Sequence, residues 1–291
     1  MKALSWGALA LSFVALAGCG GATGAISLSL TGKVVFSSDR SGNSDIWMKN
    51  ANGSGLTKLT SDAGLDKEPA LSPDGTKVAF TSNRSGEEQI WILDLGTMAL
   101  TNISNNSADE DEPAWSKDGT RIVFVSTIDD PNGEIYTMDP DGNNRFRVTN
   151  NVRTDTEPTF NPNGTRIAFT AVISGNFEIR LIDSDGTDET SLAGHAAVDE
   201  EPDWSVGDEI AFVSNRNGSE EIFTVNPNGS SLTPLTGGES PSWSPLGTHL
   251  VFTDNEGSSQ YDLWVIRSDG LGRTKLDLDV SSEEDDPSWS D

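Results

Sequence analysis

The 291-residue chain contains one cysteine, Cys19, and two histidines, His195 and His249. A single thiol cannot staple a fold through an internal disulfide, and two separated histidines are too few for a catalytic metal triad. No Gly-x-Ser-x-Gly elbow occurs, so a hydrolase nucleophile of that kind has no seat. His195 falls in a polar loop, and His249 takes a turn position filled by Lys77 or Arg121 elsewhere; both read as exposed loop residues. Basic residues are scarce as well: 19 Lys and Arg face 46 Asp and Glu, for a net charge of −27. That balance excludes a general affinity for nucleic acid and makes anionic lipid surfaces repulsive. Part of such acidity serves solubility, so the pattern of charge has to decide what the total cannot.

The one long apolar run, Leu4 to Ala17, is too short for a permanent membrane span. It follows Lys2 and leads into Leu16-Ala17-Gly18-Cys19, which resembles the bacterial lipobox, where the signal is cut before a cysteine that is then lipidated. Residues 1–18 therefore read as a lipoprotein signal peptide. Residues 19–32 read as the lipidated Cys19 and a small, polar tether that spans roughly 40 Å when extended. By the same resemblance Gly20 after the cysteine favours the outer membrane, and membrane contact is expected through the anchor alone.

What the chain has in abundance is a repeat. Six copies begin at Val34, Val78, Ile122, Ile167, Ile210 and Leu250, a period of 40 to 45 residues that yields four short strands per copy. The third residue of each opening strand is Phe: Phe36, Phe80, Phe124, Phe169, Phe212 and Phe252. The next strand carries Trp47, Trp91, Tyr136, Phe223 and Trp264, with Arg180 as the exception in the fourth copy. A further strand centres on Leu71, Trp115, Phe160, Trp204, Trp243 and Trp289, each shortly after a proline, which lacks a ladder donor and so belongs at a strand's start. Asp74-Gly75, Asp118-Gly119 and Asn163-Gly164 predict two-residue hairpin turns. Sheets this small have apolar residues on both faces and must stack on one another. The expected fold is all-β: a six-bladed β-propeller over residues 33–291 with four-stranded antiparallel blades. The C-terminal strand, ending at Trp289, completes the blade that the N-terminal strands begin.

Ser37-Ser38-Asp39-Arg40-Ser41-Gly42-Asn43, Ser82-Asn83-Arg84-Ser85-Gly86 and Leu71-Ser72-Pro73-Asp74-Gly75-Thr76-Lys77 resemble the repeat of TolB-type (PD40) propellers. The resemblance implies a place in the bacterial envelope and protein partners there, peptidoglycan-associated lipoproteins among them.

Two acidic positions recur before the prolines. Asp66, Glu110, Asp155, Asp199 and Glu284 lie three residues ahead, with Gly238 in the fifth copy. Glu68, Glu112, Glu157, Glu201 and Asp286 lie directly ahead, with Ser240 in the fifth. If the innermost strands line a central channel, ten carboxylates crowd its mouth, which is costly unless they are screened. Three readings compete: Arg40, Arg84 and Arg216 pair with these groups, leaving a surplus; a calcium ion binds, at Asp155, Asp199 and Glu284; or a basic or amide-rich partner docks there. Asp183-Ser184-Asp185-Gly186-Thr187-Asp188 resembles part of a calcium loop but stands where each copy has a turn. The expectation is a non-catalytic, monomeric scaffold with no required cofactor, binding envelope proteins through the acidic face. The alternative is a hydrolase or lyase acting on envelope polysaccharide or peptide.

Overall fold

The computed structural model describes residues 30–192, 196–276 and 282–290. Cys19, the signal segment, most of the tether and His195 lie outside them. Among the described residues every regular element is a strand.

The chain lays down β1 (Lys33–Ser38), β2 (Asp45–Asn50) and β3 (Thr57–Lys58), then repeats the pattern. Blade II holds β4 (Asp66–Leu71), β5 (Lys77–Ser82), β6 (Gln89–Asp94) and β7 (Leu100–Asn102). Blade III holds β8 (Glu110–Trp115), β9 (Ile122–Ser126), β10 (Glu134–Met138) and β11 (Phe146–Arg147). Blade IV holds β12 (Asp155–Phe160), β13 (Arg166–Ile173), β14 (Asn176–Asp183) and β15 (Thr190–Ser191). Blade V holds β16 (Asp199–Trp204), β17 (Ile210–Ser214), β18 (Glu221–Val225) and β19 (Thr233–Gly237). Blade VI holds β20 (Glu239–Trp243), β21 (His249–Asp254), β22 (Asp262–Arg267) and β23 (Thr274–Lys275). The last strand, β24 (Glu284–Ser290), returns to pair antiparallel with β1, placing Trp289 opposite Val34 and giving blade I the order β24-β1-β2-β3.

Each blade buries its faces against the next. Ala79, Ile90 and Ile92 of blade II meet Trp115, Phe124 and Tyr136 of blade III in one cluster. The same arrangement closes the ring, where Val251, Leu263 and Val265 of blade VI pack on Val34, Phe36 and Trp289 of blade I. All six repeated phenylalanines are fully buried in these inter-blade layers. The outermost strands are short, which keeps the exposed edges small.

The turns between innermost and second strands correct one expectation. Ser72 N–H donates to Lys77 O at 2.8 Å, so the connection in blade II is four residues wide rather than two. Pro73 sets the second position of a type I turn, whose fourth residue, Gly75, has a φ of 65°. The Asp74 carboxylate then caps the wider loop, accepting from Ser72 Oγ at 2.7 Å and Thr76 N–H at 3.1 Å. A genuine two-residue hairpin turn occurs at Ser174-Gly175, both with positive φ, joining β13 to β14. Where a turn meets the neighbouring blade, glycine is obligatory: a Cβ on Gly142 would stand 2.2 Å from Ile103 O.

Closure through β24 predicts that a chain ending at Glu283 loses its cooperative unfolding transition, because blades I and VI then expose their apolar faces. Calorimetry on the shortened protein checks this; a transition within a few degrees of the full-length chain contradicts it.

Candidate functional site

The two acidic positions have different fates, although they are only two residues apart. Residues at i and i+2 of a regular strand face the same side. Here Glu68, Glu112, Glu157, Glu201, Ser240 and Asp286 all adopt positive φ, between 48° and 54°, and the pairing register shifts at each of them. Six non-glycine residues in a left-handed conformation, one per blade, turn the second position away from the first.

The first position is buried inside its own blade. Asp66, Glu110, Asp155, Asp199 and Glu284 are essentially inaccessible. Each meets an arginine: Asp66 takes both oxygens to Arg84 Nη2 at 2.8 and 2.7 Å, Asp199 meets Arg216 at 2.8 Å, and Glu284 pairs with Arg40. Glu110 pairs with Arg145, whose Nη2 lies 2.9 Å away, and Asp155 with Arg153 at 2.6 Å. In blade VI, where Gly238 replaces the acid, a Cβ would stand 2.5 Å from the Phe252 ring; the carboxylate comes instead from Asp254, paired with Arg273. Every one of these guanidinium groups covers the blade's buried phenylalanine, at 4.5 to 5.8 Å from the rings of that Phe or its aromatic neighbour. Buried within their blades and held by these arginines, the five carboxylates have no path to the channel.

Three corrections follow from this geometry. Half of the expected acidic face is structural. Arginine is supplied to all six blades rather than to three, so no surplus remains at this position. Asp155, Asp199 and Glu284 occupy three separate blades, each bound to its own arginine, and do not converge on a cation; among the described residues no metal-ligating cluster forms. The 183–188 segment is a turn, with Gly186 N–H on Asp183 O at 2.8 Å and Asp185 Oδ1 accepting from Thr187 Oγ1 at 2.7 Å.

The second position lines the channel. A cavity of about 370 Å³ on the axis is walled by Glu68, Glu112, Glu157, Glu201, Asp286 and the prolines that follow them, with Ser240 at the sixth place. The left-handed backbone aims each amide at the preceding blade: Glu112 N–H donates to Glu68 Oε2 at 3.0 Å, Glu157 N–H to Glu112 Oε2, and Glu201 N–H to Glu157 Oε2 at 2.8 Å. Ser240 N–H continues to Glu201 Oε2 at 2.6 Å, and Glu68 N–H to Asp286 Oδ2 at 3.3 Å. Carboxylates thus link blade to blade, head to tail, around the axis. The chain breaks at Ser240, which has no carboxylate to offer Asp286, and the Asp286 amide turns to Asp285 at 3.0 Å. One layer deeper the motif recurs, with Trp243 N–H on Asp203 Oδ2 at 2.7 Å and Leu71 N–H on Ser288 Oγ at 3.1 Å.

The ring is electrostatically loaded. Burial, then neighbouring carboxylates, pushes Glu112, Glu201 and Asp286 well above the usual range, and burial also raises Glu157. Flanking Asp111, Glu200 and Glu239 rise to about 7, chiefly by burial. The cation set against the rim is Lys67, 3.0 Å from Glu68 and 3.3 Å from Glu88. Beyond the ring lies a second chamber of about 270 Å³ walled by Trp115, Trp243, Trp289, Pro73 and Lys117. His249 lies outside both chambers, with its ring 6.4 Å from that of Trp289 and its Nδ1 3.0 Å from Thr248 Oγ1.

Two predictions follow from these environments. Arg84→Met, which leaves Asp66 buried and unpaired, destabilises by about 3–5 kcal/mol, whereas the Asp66→Leu/Arg84→Met double variant recovers most of the loss. Denaturant melts check both. For the ring, carboxyls raised in the folded state bind protons more tightly there than in the unfolded chain. Their contribution is therefore fullest near pH 4 and is lost as pH rises through 7. Melting temperature should climb from pH 8 to 5.5. It falls again below about pH 4, where the turn aspartates Asp74, Asp118 and Asp185, held low by hydrogen bonds, protonate. A melting temperature that is flat between pH 5.5 and 8 contradicts the loaded ring.

A family model for the TolB beta propeller domain, PD40, matches residues 14–110 and 88–291. The Tol-Pal system protein TolB of Anaeromyxobacter sp. (strain K) is 31% identical over 122 residues, which cover 40% of this chain and 27% of that protein. The chain thus matches about a quarter of the length of that curated relative. The crystal structure of TolB from Acinetobacter baumannii superposes with a TM-score of 0.77 at 25% identity, covering 89% of this chain and 66% of that one. An oligogalacturonate lyase from Vibrio parahaemolyticus has a TM-score of 0.59 at 16% identity, over 84% of this chain and 75% of its own, which is a likeness of fold. With six joined repeats closed into one ring and a family match along almost their whole length, the chain belongs to the TolB beta propeller (PD40) family.

Proposed function

We propose that the propeller is a non-catalytic docking module of the bacterial envelope, which receives a basic or amide-rich segment of a partner protein at the acidic mouth of its channel. The observation that carries this reading is the contrast between the two acidic positions. At the first position each carboxylate is matched by an arginine of its own blade, whereas the channel gathers Glu68, Glu112, Glu157, Glu201 and Asp286 with Lys67 beside them. A cationic or amide-bearing segment relieves that repulsion and takes up the carboxylate lone pairs facing the axis. The relatives' assignment to the Tol-Pal system supports an envelope partner. Catalysis has little to work with: the ring carboxylates are tied to backbone amides, and His249, whose pKa burial lowers, lines neither chamber. In this reading the protein acts as a monomer, lipidated at Cys19 and held off the membrane by residues 19–32.

Crosslinking in membranes with the wild-type protein and with Glu112→Gln/Glu157→Gln/Glu201→Gln tests the reading. Glutamine keeps an acceptor for each inter-blade amide, so the fold survives while three charges go. The partners captured by the wild type should fall at least about tenfold in the variant. Equal capture by both proteins excludes the channel mouth as the docking surface.

A further inference from the structure

One hydrogen-bonding station recurs around the axis, and blade VI departs from it. In blade II, Glu68 Oε2 accepts from Thr81 Oγ1 at 2.8 Å and from the Glu112 N–H at 3.0 Å. In blade IV, Glu157 Oε2 accepts from Thr170 Oγ1 at 2.6 Å and from the Glu201 N–H at 2.8 Å. Each of these stations brings the hydroxyl that follows the buried phenylalanine and the amide of the next blade onto one carboxylate oxygen. Blade VI keeps both donors, Thr253 after Phe252 and the Asp286 N–H, but Ser240 stands where the carboxylate belongs. The donors turn elsewhere. Thr253 Oγ1 donates to Glu239 O at 3.3 Å, and the Asp286 N–H to Asp285 Oδ1 at 3.0 Å. Ser240 and Asp286 both line the channel, and Asp285 is exposed. At this one place, therefore, the amide of a channel-lining residue is held by a solvent-exposed side chain of its own strand and not by the blade before it.

The surroundings restrict what can complete the station. The Asp286 N–H requires an acceptor, which lysine and arginine do not have. Glu201, which accepts from the Ser240 N–H at 2.6 Å, flanks the place together with Asp285 and Asp286, so a carboxylate is repelled. A hydroxyl is already there: Ser240 Oγ donates to Asp285 Oδ1 at 3.4 Å and leaves the Asp286 N–H to Asp285. A trans peptide group points its C=O and N–H in opposite directions, whereas a primary amide carries an oxygen and an N–H on one edge. That edge matches a backbone donor set beside a carboxylate.

We propose that the docked segment sets an Asn or Gln side chain at Ser240, its carbonyl oxygen accepting from the Asp286 N–H and its –NH2 group donating to the Asp285 carboxylate. The proposal rests on the docking reading above and gives it a direction. The amide lies at the seam between blades VI and I, and the cations lie against Glu112, Glu157 and Glu201.

Fluorescence anisotropy with two synthetic ten-residue peptides tests it. Both have an Arg near each end of a Gly-Ser background; between the arginines one carries Gln and the other Ser at every position. Wild-type protein should bind the Gln peptide about tenfold more tightly than the Ser peptide. Ser240→Glu and Ser240→Gln each supply the oxygen from within the protein. Both suit the backbone, since φ is 50° at Ser240 and 51° to 54° at its glutamate counterparts. With melting temperatures checked, both variants should bind the two peptides equally, and agreement between them separates the filled station from the added charge. The channel variant Glu112→Gln/Glu157→Gln/Glu201→Gln should lose affinity for both peptides. If the wild type shows no preference for Gln, or either Ser240 variant keeps it, while the channel variant still loses binding, the amide station is overturned and the docking reading stands. If neither peptide binds the wild type, the docking reading falls and the amide station with it.

Discussion

Six small sheets, each apolar on both faces, can be hidden only by one another, and hiding all of them requires a closed ring. Closure brings six innermost strands together about one axis, where residues from different blades are forced to be neighbours. Much else in the molecule answers that crowding. The left-handed residue ahead of each proline turns its amide toward the blade before it, and the carboxylate of that blade accepts it. An arrangement that crowds negative charge therefore also supplies the hydrogen bonds that fasten the blades. Ser240 marks where this fastening lapses, one blade before the seam at which β24 completes the circle.

Inside the blades the same physics recurs with different parts. Each buried phenylalanine is covered by a guanidinium that also neutralises a buried carboxylate, but the arginine arrives by three routes. Arg40, Arg84 and Arg216 come from the loop between the second and third strands; Arg145 and Arg273 come from the turn before the outermost strand; Arg153 comes from the loop leading into β12. Blade IV, with its tight Ser174-Gly175 turn, has no long loop to carry one. It also places Arg180 where other blades have an aromatic, bound with Arg153 to Glu189. What is kept is the position of the charge, not its place in the repeat.

The repeat, the six phenylalanines, the prolines and the phase of the two chain ends were enough to read the propeller and its closure. The split between Asp66 and Glu68, and between their counterparts, was not legible. Strand alternation puts both on one side, and glutamate before proline is expected to be extended rather than left-handed. Only the bulge, a product of packing six strands at the axis, separates them. The arginine pattern was legible in principle: copies without Arg in the second loop carry it at 145 or 273, and the fourth copy at 153. Within any one copy such an arginine has nothing to distinguish it from a surface charge.

If the carboxylates ahead of the prolines do converge on the axis, their protons must reveal it. Carboxyl-carbon NMR of the folded protein, followed through pH with Glu112 and Glu201 assigned by Gln replacement, reads that directly. Both should titrate well above the ordinary glutamate range, as burial and mutual repulsion require. Ordinary titration near pH 4 for both would mean that these side chains face open solvent and that the channel mouth described here does not exist.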